Sequence, residues 1–209
     1  MEYCDRGSVK DLMESKGGRL SIDKALEIIF QVLEALDYAH HAEIPYVKLA
    51  NGSVAKGRGL VHRDLKPANI LLTKCGKQTI AKVGDYGLAK AFDLAGLSGQ
   101  TLTGSKAGTP AFMPRQQVLN FKYAQPEVDV WAAAASLYNM LTGYIPRNLD
   151  GDPLLAVLKN DAVPIRQRNT EIPKPLAEAI DLALRDNPQI YFKSAIEFKQ
   201  ALIDAIDRW

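Results

Sequence analysis

The sequence predicts a mainly α fold, α+β overall, in which a long amphipathic helix precedes a small hairpin and a block of helices runs almost to the C-terminus. Ile22, Ala25, Leu26, Ile29, Val32, Leu33, Leu36 and Ala39 recur at helical spacing behind Ser21, a residue placed to cap the first turn. The short apolar runs Ile70-Leu71-Leu72 and Ile80-Ala81-Lys82-Val83 flank Lys74-Cys75-Gly76-Lys77, the arrangement of two strands around a turn. Beyond Pro126 the pattern predicts helices over 127–141, 153–160, 175–184 and 194–207, punctuated by Pro146, Pro164, Pro173 and Pro188.

Two segments carry no periodicity. Residues 43–59 are polar, glycine-bearing and basic, and read as a surface loop. Residues 97–108 are dominated by Gly, Ser, Thr and Lys and read on composition as a flexible linker. No internal repeat is visible, and 209 residues suffice for one unit with its own core.

Composition narrows the function only by exclusion. Hydrophobic residues at 47% and charged residues at 24% are those of a globular chain. A formal charge of +2, from 26 basic against 24 acidic residues, gives no electrostatic case for nucleic acid or an anionic membrane. Cys4 and Cys75 lack metal-ligand spacing and read as reduced thiols in a cytoplasmic protein. The first residues show no basic segment followed by an apolar run, and the most apolar window, 128–141, is interrupted by Asp129, Ser136 and Asn139 and is too short to span a bilayer.

Chemistry enters at Val61-His62-Arg63-Asp64-Leu65-Lys66-Pro67-Ala68-Asn69-Ile70-Leu71-Leu72. Singly, His62 reads as a packed histidine and Asp64 as a solvated or capping carboxylate. Together, Asp64, Lys66 and Asn69 place a carboxylate, a cation and an amide oxygen in one loop. Phosphoryl transfer needs all three kinds: a group to orient the attacking hydroxyl, a charge to neutralise the migrating group, and oxygen ligands for Mg²⁺.

At this point the sequence resembles the protein kinase family, whose His-Arg-Asp-Leu-Lys-Pro-x-Asn loop is matched at each fixed position by residues 62–69. Lys66 is the serine/threonine form of that loop. Asp85-Tyr86-Gly87 stands where the family has its Asp-Phe-Gly metal-binding turn. Gly108-Thr109-Pro110-Ala111-Phe112-Met113 is similar to the segment that docks the residue after the phosphoacceptor, Asp129-Val130-Trp131 to the start of the central buried helix, and Met1-Glu2-Tyr3-Cys4 to the adenine-binding hinge.

The resemblance implies a kinase-like C-lobe over 1–209, with a hinge at 1–7, the catalytic loop at 61–72, an activation segment at 85–116 and a helical subdomain at 127–207. By the same resemblance Asp64 orients or deprotonates the hydroxyl, Lys66 stabilises the transferring group, and Asn69 and Asp85 hold Mg²⁺, for which Mn²⁺ can substitute. Glu2, Cys4, Ala68 and Leu71 would contact ATP, and Thr109 would contact Asp64 and Lys66. His62, Tyr86, Gly87 and Asp129 would be structural, with Asp129 anchoring the catalytic-loop backbone. Arg63 would pair with a phosphorylated residue among Ser98, Thr101, Thr103 and Ser105, the two threonines being favoured.

Departures from the pattern qualify the expectation. Pro114-Arg115-Gln116 replaces the family's Ala-Pro-Glu, and Tyr191 stands where the arginine partner of that glutamate is expected. Removing one member of a buried ion pair costs roughly 3–5 kcal/mol, whereas replacing both can be nearly neutral, so the joint change reads as an accommodated variant. The stretch 41–59 is longer than the family's connection: a surface insertion or a docking segment. No glycine-rich phosphate loop or Val-Ala-Ile-Lys strand precedes Met1, so the small lobe is expected to lie outside this chain, as in a fragment, a truncated gene prediction or an alternative start.

The expected function is ATP-dependent phosphorylation of Ser/Thr hydroxyls in proteins, with little activity from 1–209 without the small lobe. A non-catalytic, pseudokinase-like scaffold is the alternative. A phosphotransferase acting on small molecules is disfavoured by Gly108-Thr109-Pro110, a segment such enzymes generally lack.

Overall fold

A computed structural model describes residues 4–48, 53–76, 78–86 and 109–209. Glu2, Gly87, Ser98, Thr101, Thr103 and Ser105, singled out from the sequence, lie outside the described residues, as do the rest of 1–3 and Gly108.

The first element, α1 (Val9–Ser15), is a short helix that apolar periodicity does not reveal. Its signal is a capping box: Ser8 Oγ accepts from Asp11 N at 3.3 Å while Asp11 Oδ2 accepts from Ser8 N at 2.7 Å. Helix α2 (Ile22–His41) begins at the expected cap, with Ser21 Oγ accepting from Lys24 N. Its buried face carries Ala25, Ile29, Val32, Leu33 and Leu36, each of the larger side chains contributing about 1.5–3 kcal/mol by leaving water.

After α2 the structure corrects the sequence reading. Where a surface loop is expected, β1 (Glu43–Lys48) and β2 (Val54–Arg58) form an antiparallel pair with Glu43 opposite Arg58. Pro45 and a register shift between Ile44 and Val47 break the alternation that would have announced a strand. At its exit Gly59 adopts φ 80°, and a Cβ there would stand 2.7 Å from the His40 carbonyl oxygen. Glycine lets the chain turn back onto the helix, donating from Gly59 N to Ala42 O and from Leu60 N to Ala39 O. The next residues are therefore delivered to the C-terminal end of α2.

The predicted hairpin is present as β3 (Ile70–Cys75) and β4 (Gln78–Val83), with Ile70 opposite Val83 and Leu72 opposite Ala81. The segment before α1 lies along β3: Leu72 N donates to Gly7 O, and Arg6 N to Leu72 O. Helix α3 (Arg115–Leu119) follows a 3₁₀ turn at Pro110–Phe112.

Helix α4 (Glu127–Thr142) is buried on nearly all sides, which explains why its sequence is apolar all round. The run Ala132-Ala133-Ala134-Ala135 gives it a slim profile, and α2 packs directly against it. Trp131 Nε1 donates to the Leu184 carbonyl at 3.0 Å, so the largest core side chain satisfies its one polar atom. The remaining helices, α5 (Pro153–Lys159), α6 (Lys174–Ala183) and α7 (Ala195–Ile206), match the predicted windows to within one residue at each end, and Asp152 and Ser194 cap α5 and α7. Among the described residues, no helix is long and apolar enough to cross a membrane.

Candidate active site

The loop from Val61 to Asn69 is held by a residue of α4. Asp129, wholly buried, accepts from His62 N through Oδ2 and from Arg63 N through Oδ1, each at 2.8 Å. His40 Nε2, at the end of α2, donates a third bond to Oδ2 at 2.8 Å. The buried carboxylate thus meets three donors. Sequence reasoning anticipated Asp129 and missed His40.

Arg63 sits in the left-handed region with φ 66°, uncommon for a side-chain-bearing residue. Its N–H is taken by Asp129, and its carbonyl accepts from Gln117 Nε2 of α3 at 2.6 Å. Two elements far along the chain therefore hold the turn that aims the next side chains.

Asp64, Lys66, Asn69 and Thr109 converge. Lys66 Nζ donates to Asp64 Oδ2 at 2.7 Å and to Thr109 Oγ1 at 2.8 Å. Asn69 Nδ2 donates to the Asp64 carbonyl at 2.7 Å and to Asp64 Oδ2 at 3.2 Å. Among the described residues every side-chain donor to this carboxylate reaches Oδ2. Because Asn69 spends its amide N–H groups on Asp64, its Oδ1 is left as an acceptor. Thr109 meets Lys66, as expected, and reaches Asp64 through that lysine's ammonium.

Asp85 is set by the hairpin. The β3–β4 ladder continues past Ile70 and Val83 with Gly84 N donating to Asn69 O at 2.9 Å, so Asp85 leaves the sheet beside Asn69. It too has a left-handed backbone, φ 63°, and its side chain is exposed. His62 ties this turn to the loop: Nε2 donates to the Gly84 carbonyl at 2.8 Å, Nδ1 accepts from Asp64 N at 3.2 Å, and the ring lies 4.6 Å from that of Tyr86. Burial, with a smaller contribution from the Asp129 carboxylate, pushes the Tyr86 phenol up to about 12.

Asn69 and Asp85 together offer an amide oxygen and a carboxylate, hard donors that fit Mg²⁺ and suit softer metals poorly. Ala68 and Leu71 are partly buried, and Leu71 is bridged to Ser8. A Cβ built on Gly84 would come within 3.0 Å of Leu71 Cδ1, so the turn into Asp85 passes close over this side chain. Cys4 is partly buried and begins the stretch that pairs with β3.

Below α3 lies a charged cluster that sequence reasoning missed. Asp186 Oδ1 and Oδ2 accept from Arg115 Nη1 and Arg147 Nη2, and Oδ2 also accepts from Arg115 N at 2.8 Å. Arg147 lies 4.4 Å over the Trp131 ring and donates to the Met113 carbonyl at 2.9 Å. Gln116, in place of the family's glutamate, donates from Nε2 to the Asp186 carbonyl at 2.6 Å, while Tyr191 is exposed.

Residues 1–198 match the protein kinase domain family. The chain belongs to that family. It is 30% identical over 199 residues to a probable serine/threonine-protein kinase of Clostridium perfringens, covering 94% of this chain and 26% of that protein. Against the serine/threonine-protein kinase PknA of Mycobacterium tuberculosis it is 33% identical over 185 residues, 88% of this chain and 37% of the relative. Against PknB of Mycolicibacterium smegmatis the identity is 30% over 207 residues, 97% and 29% of the two chains. The chain thus spans between 26% and 37% of the length of these relatives. The fold is similar to the crystal structure of the M. tuberculosis PknI kinase domain, with a TM-score of 0.65 at 20% identity, covering 98% of this chain and 64% of that one.

Proposed function

We propose that this chain is the helical lobe of an ATP-dependent serine/threonine protein kinase that transfers the γ-phosphoryl group to Ser/Thr hydroxyls of proteins. The observation that carries this reading is Lys66 bridging Asp64 Oδ2 and Thr109 Oγ1 at 2.7 and 2.8 Å. A fixed cation beside a carboxylate, next to a segment that docks protein substrates in this family, is the arrangement phosphoryl transfer to a hydroxyl requires.

Asp64 Oδ1 is the oxygen that orients the substrate hydroxyl and accepts its proton. Lys66 holds Asp64 in place and offsets negative charge on the transferring group. Asn69 Oδ1 and the Asp85 carboxylate are the groups that would hold Mg²⁺, whose chemistry when bound is to neutralise and orient the nucleotide phosphates. Ala68 and Leu71 form the floor under the nucleotide, with Glu2 and Cys4 contributing backbone contacts to adenine. Arg63 is assigned to a phosphorylated Thr101 or Thr103. The protein is proposed to work in the cytoplasm.

Turnover is expected from a polypeptide that also supplies a glycine-rich loop and a lysine-bearing strand, because those groups clamp the nucleotide from above. The test is transfer of labelled phosphoryl from ATP to a generic protein substrate, with Asp64→Ala as the control. In such a polypeptide, Asp64-dependent transfer is the expected result, and transfer indifferent to Asp64→Ala refutes the assignment. The 209-residue chain alone is expected to show little; robust, Asp64-dependent transfer by it overturns that expectation.

A further inference from the structure

The family's glutamate–arginine pair, which fastens the end of the substrate-docking segment to the helical subdomain, is unavailable here because Gln116 and Tyr191 occupy its positions. The buried cluster around Asp186 takes over that place with different residues. Asp186 and Arg147 are almost wholly buried, and the carboxylate holds two guanidinium groups at once. Each guanidinium spends its remaining donors on backbone: Arg147 on Met113 O and Asn160 O, Arg115 on Leu158 O and Asn160 O. Arg115 also reaches the exposed carboxylate of Asp161 at 2.9 Å.

The position of Met113 gives this cluster its meaning. Residues 109–113 are tied at one end by Lys66 to the Thr109 hydroxyl and at the other by Arg147 to the Met113 carbonyl. Between the ties the chain makes one 3₁₀ turn, Phe112 N donating to Thr109 O and Met113 N to Pro110 O. A segment this short, fixed at both ends, has little freedom left, so displacing one end moves the other. Arginine suits the role better than lysine, because its planar fork bonds Met113 O, Asn160 O and Asp186 simultaneously while stacking on Trp131.

We propose that Arg147, oriented by Asp186, is the positioning residue that sets the substrate-docking segment and, through it, holds the Thr109 hydroxyl against Lys66, replacing the missing glutamate–arginine pair. This rests on the kinase reading above and adds to it how the docking segment is held.

The test compares Arg147→Met with Arg147→Lys. Hydrogen exchange is measured on the 209-residue chain, and kinetics with a peptide substrate on a polypeptide carrying both lobes. Arg147→Met is expected to speed exchange at Phe112 and Met113 roughly tenfold or more, with the amides of Ile29 and Val32 in α2 unchanged. It is expected to raise the peptide KM by about tenfold while the ATP KM stays put, with partial recovery in Arg147→Lys. If Arg147→Met does not fold, Arg147→Lys carries the test, since it keeps the charge and loses the fork. Unchanged exchange at Phe112 and Met113, or acceleration there in step with α2, overturns the proposal. A parent without Asp64-dependent transfer overturns the kinase reading, whereas an active parent whose peptide KM ignores Arg147 overturns only the role of Arg147.

Discussion

Asp129 Oδ2 accepts the backbone N–H of His62 at 2.8 Å, joining a residue of α4 to a loop 67 positions earlier in the chain. The same carboxylate takes Arg63 N and His40 Nε2. Asp129→Ala leaves three donors unsatisfied at a wholly buried position, at a cost on the order of 3–5 kcal/mol. Asp129→Asn also destabilises, because its amide nitrogen cannot accept. Urea denaturation of the two variants measures both losses, and a cost under about 1 kcal/mol for alanine would contradict the assigned anchor.

Thr109→Val keeps the shape of the side chain and removes the hydroxyl that meets Lys66. In an active polypeptide its kcat is expected to fall about tenfold or more with the ATP KM unaltered, because the lysine loses one of two fixed partners. Thr109→Ser should retain most of the rate. Equal losses in the two variants would show that the methyl group, not the hydroxyl, is what matters.

Asp85 stands exposed beside Asn69, and its carboxylate is the stronger donor of the two. Asp85→Ala is expected to abolish turnover and to remove the Mg²⁺ dependence of nucleotide binding. Titrating Mg²⁺ into parent and variant with a fluorescent nucleotide distinguishes this from unfolding. Undiminished turnover would show that the metal is held elsewhere.

Gln116→Glu restores the residue the family uses and is nonetheless expected to destabilise this chain by about 1–3 kcal/mol. Gln116 Nε2 donates to the Asp186 carbonyl at 2.6 Å, and a carboxylate there would face that oxygen with no proton to offer. Thermal unfolding of the variant at neutral pH checks it, a raised Tm being the contrary result.

The Tyr86 phenol, held neutral by burial, has a folded pKa of about 12 against an ordinary value of 10.0. Since the folded value is the higher one, its stabilising contribution is complete below pH 10 and is lost as pH rises from there through about 12. Tyr86→Phe is expected to remove that part of the alkaline loss. The stability difference between parent and variant, compared at pH 8 and pH 11, measures it, and a difference independent of pH would count against it.

Much of this architecture was legible where local pattern decides it. The apolar face of α2, the all-apolar run of α4 and the turn between β3 and β4 each act over a few residues, and each element formed where its pattern lay. Helix α1 escaped notice because seven residues are too few to show a period, although Ser8 and Asp11 signalled it. The β1–β2 pair was hidden by Pro45 and a bulge, and its pairing is satisfied by partner backbone, not by side-chain alternation. The catalytic-loop residues were legible as a set because their contacts span a few positions, as from Asp64 to Asn69. Arg115, Arg147 and Asp186 were not, since each looks like an ordinary surface charge until the chain brings 71 residues of separation to a single hydrogen bond.

The bond from His62 to Asp129 also imposes an order of events on biosynthesis. Translation at roughly 5–20 residues per second needs about 3–13 s to cover the 67 positions between them. Through that interval the nascent loop possesses its side chains but not its geometry, and a ribosome stalled before α4 leaves it without a template. The timing of site assembly is therefore set by the arrival of one downstream helix, the same helix against which α2 packs.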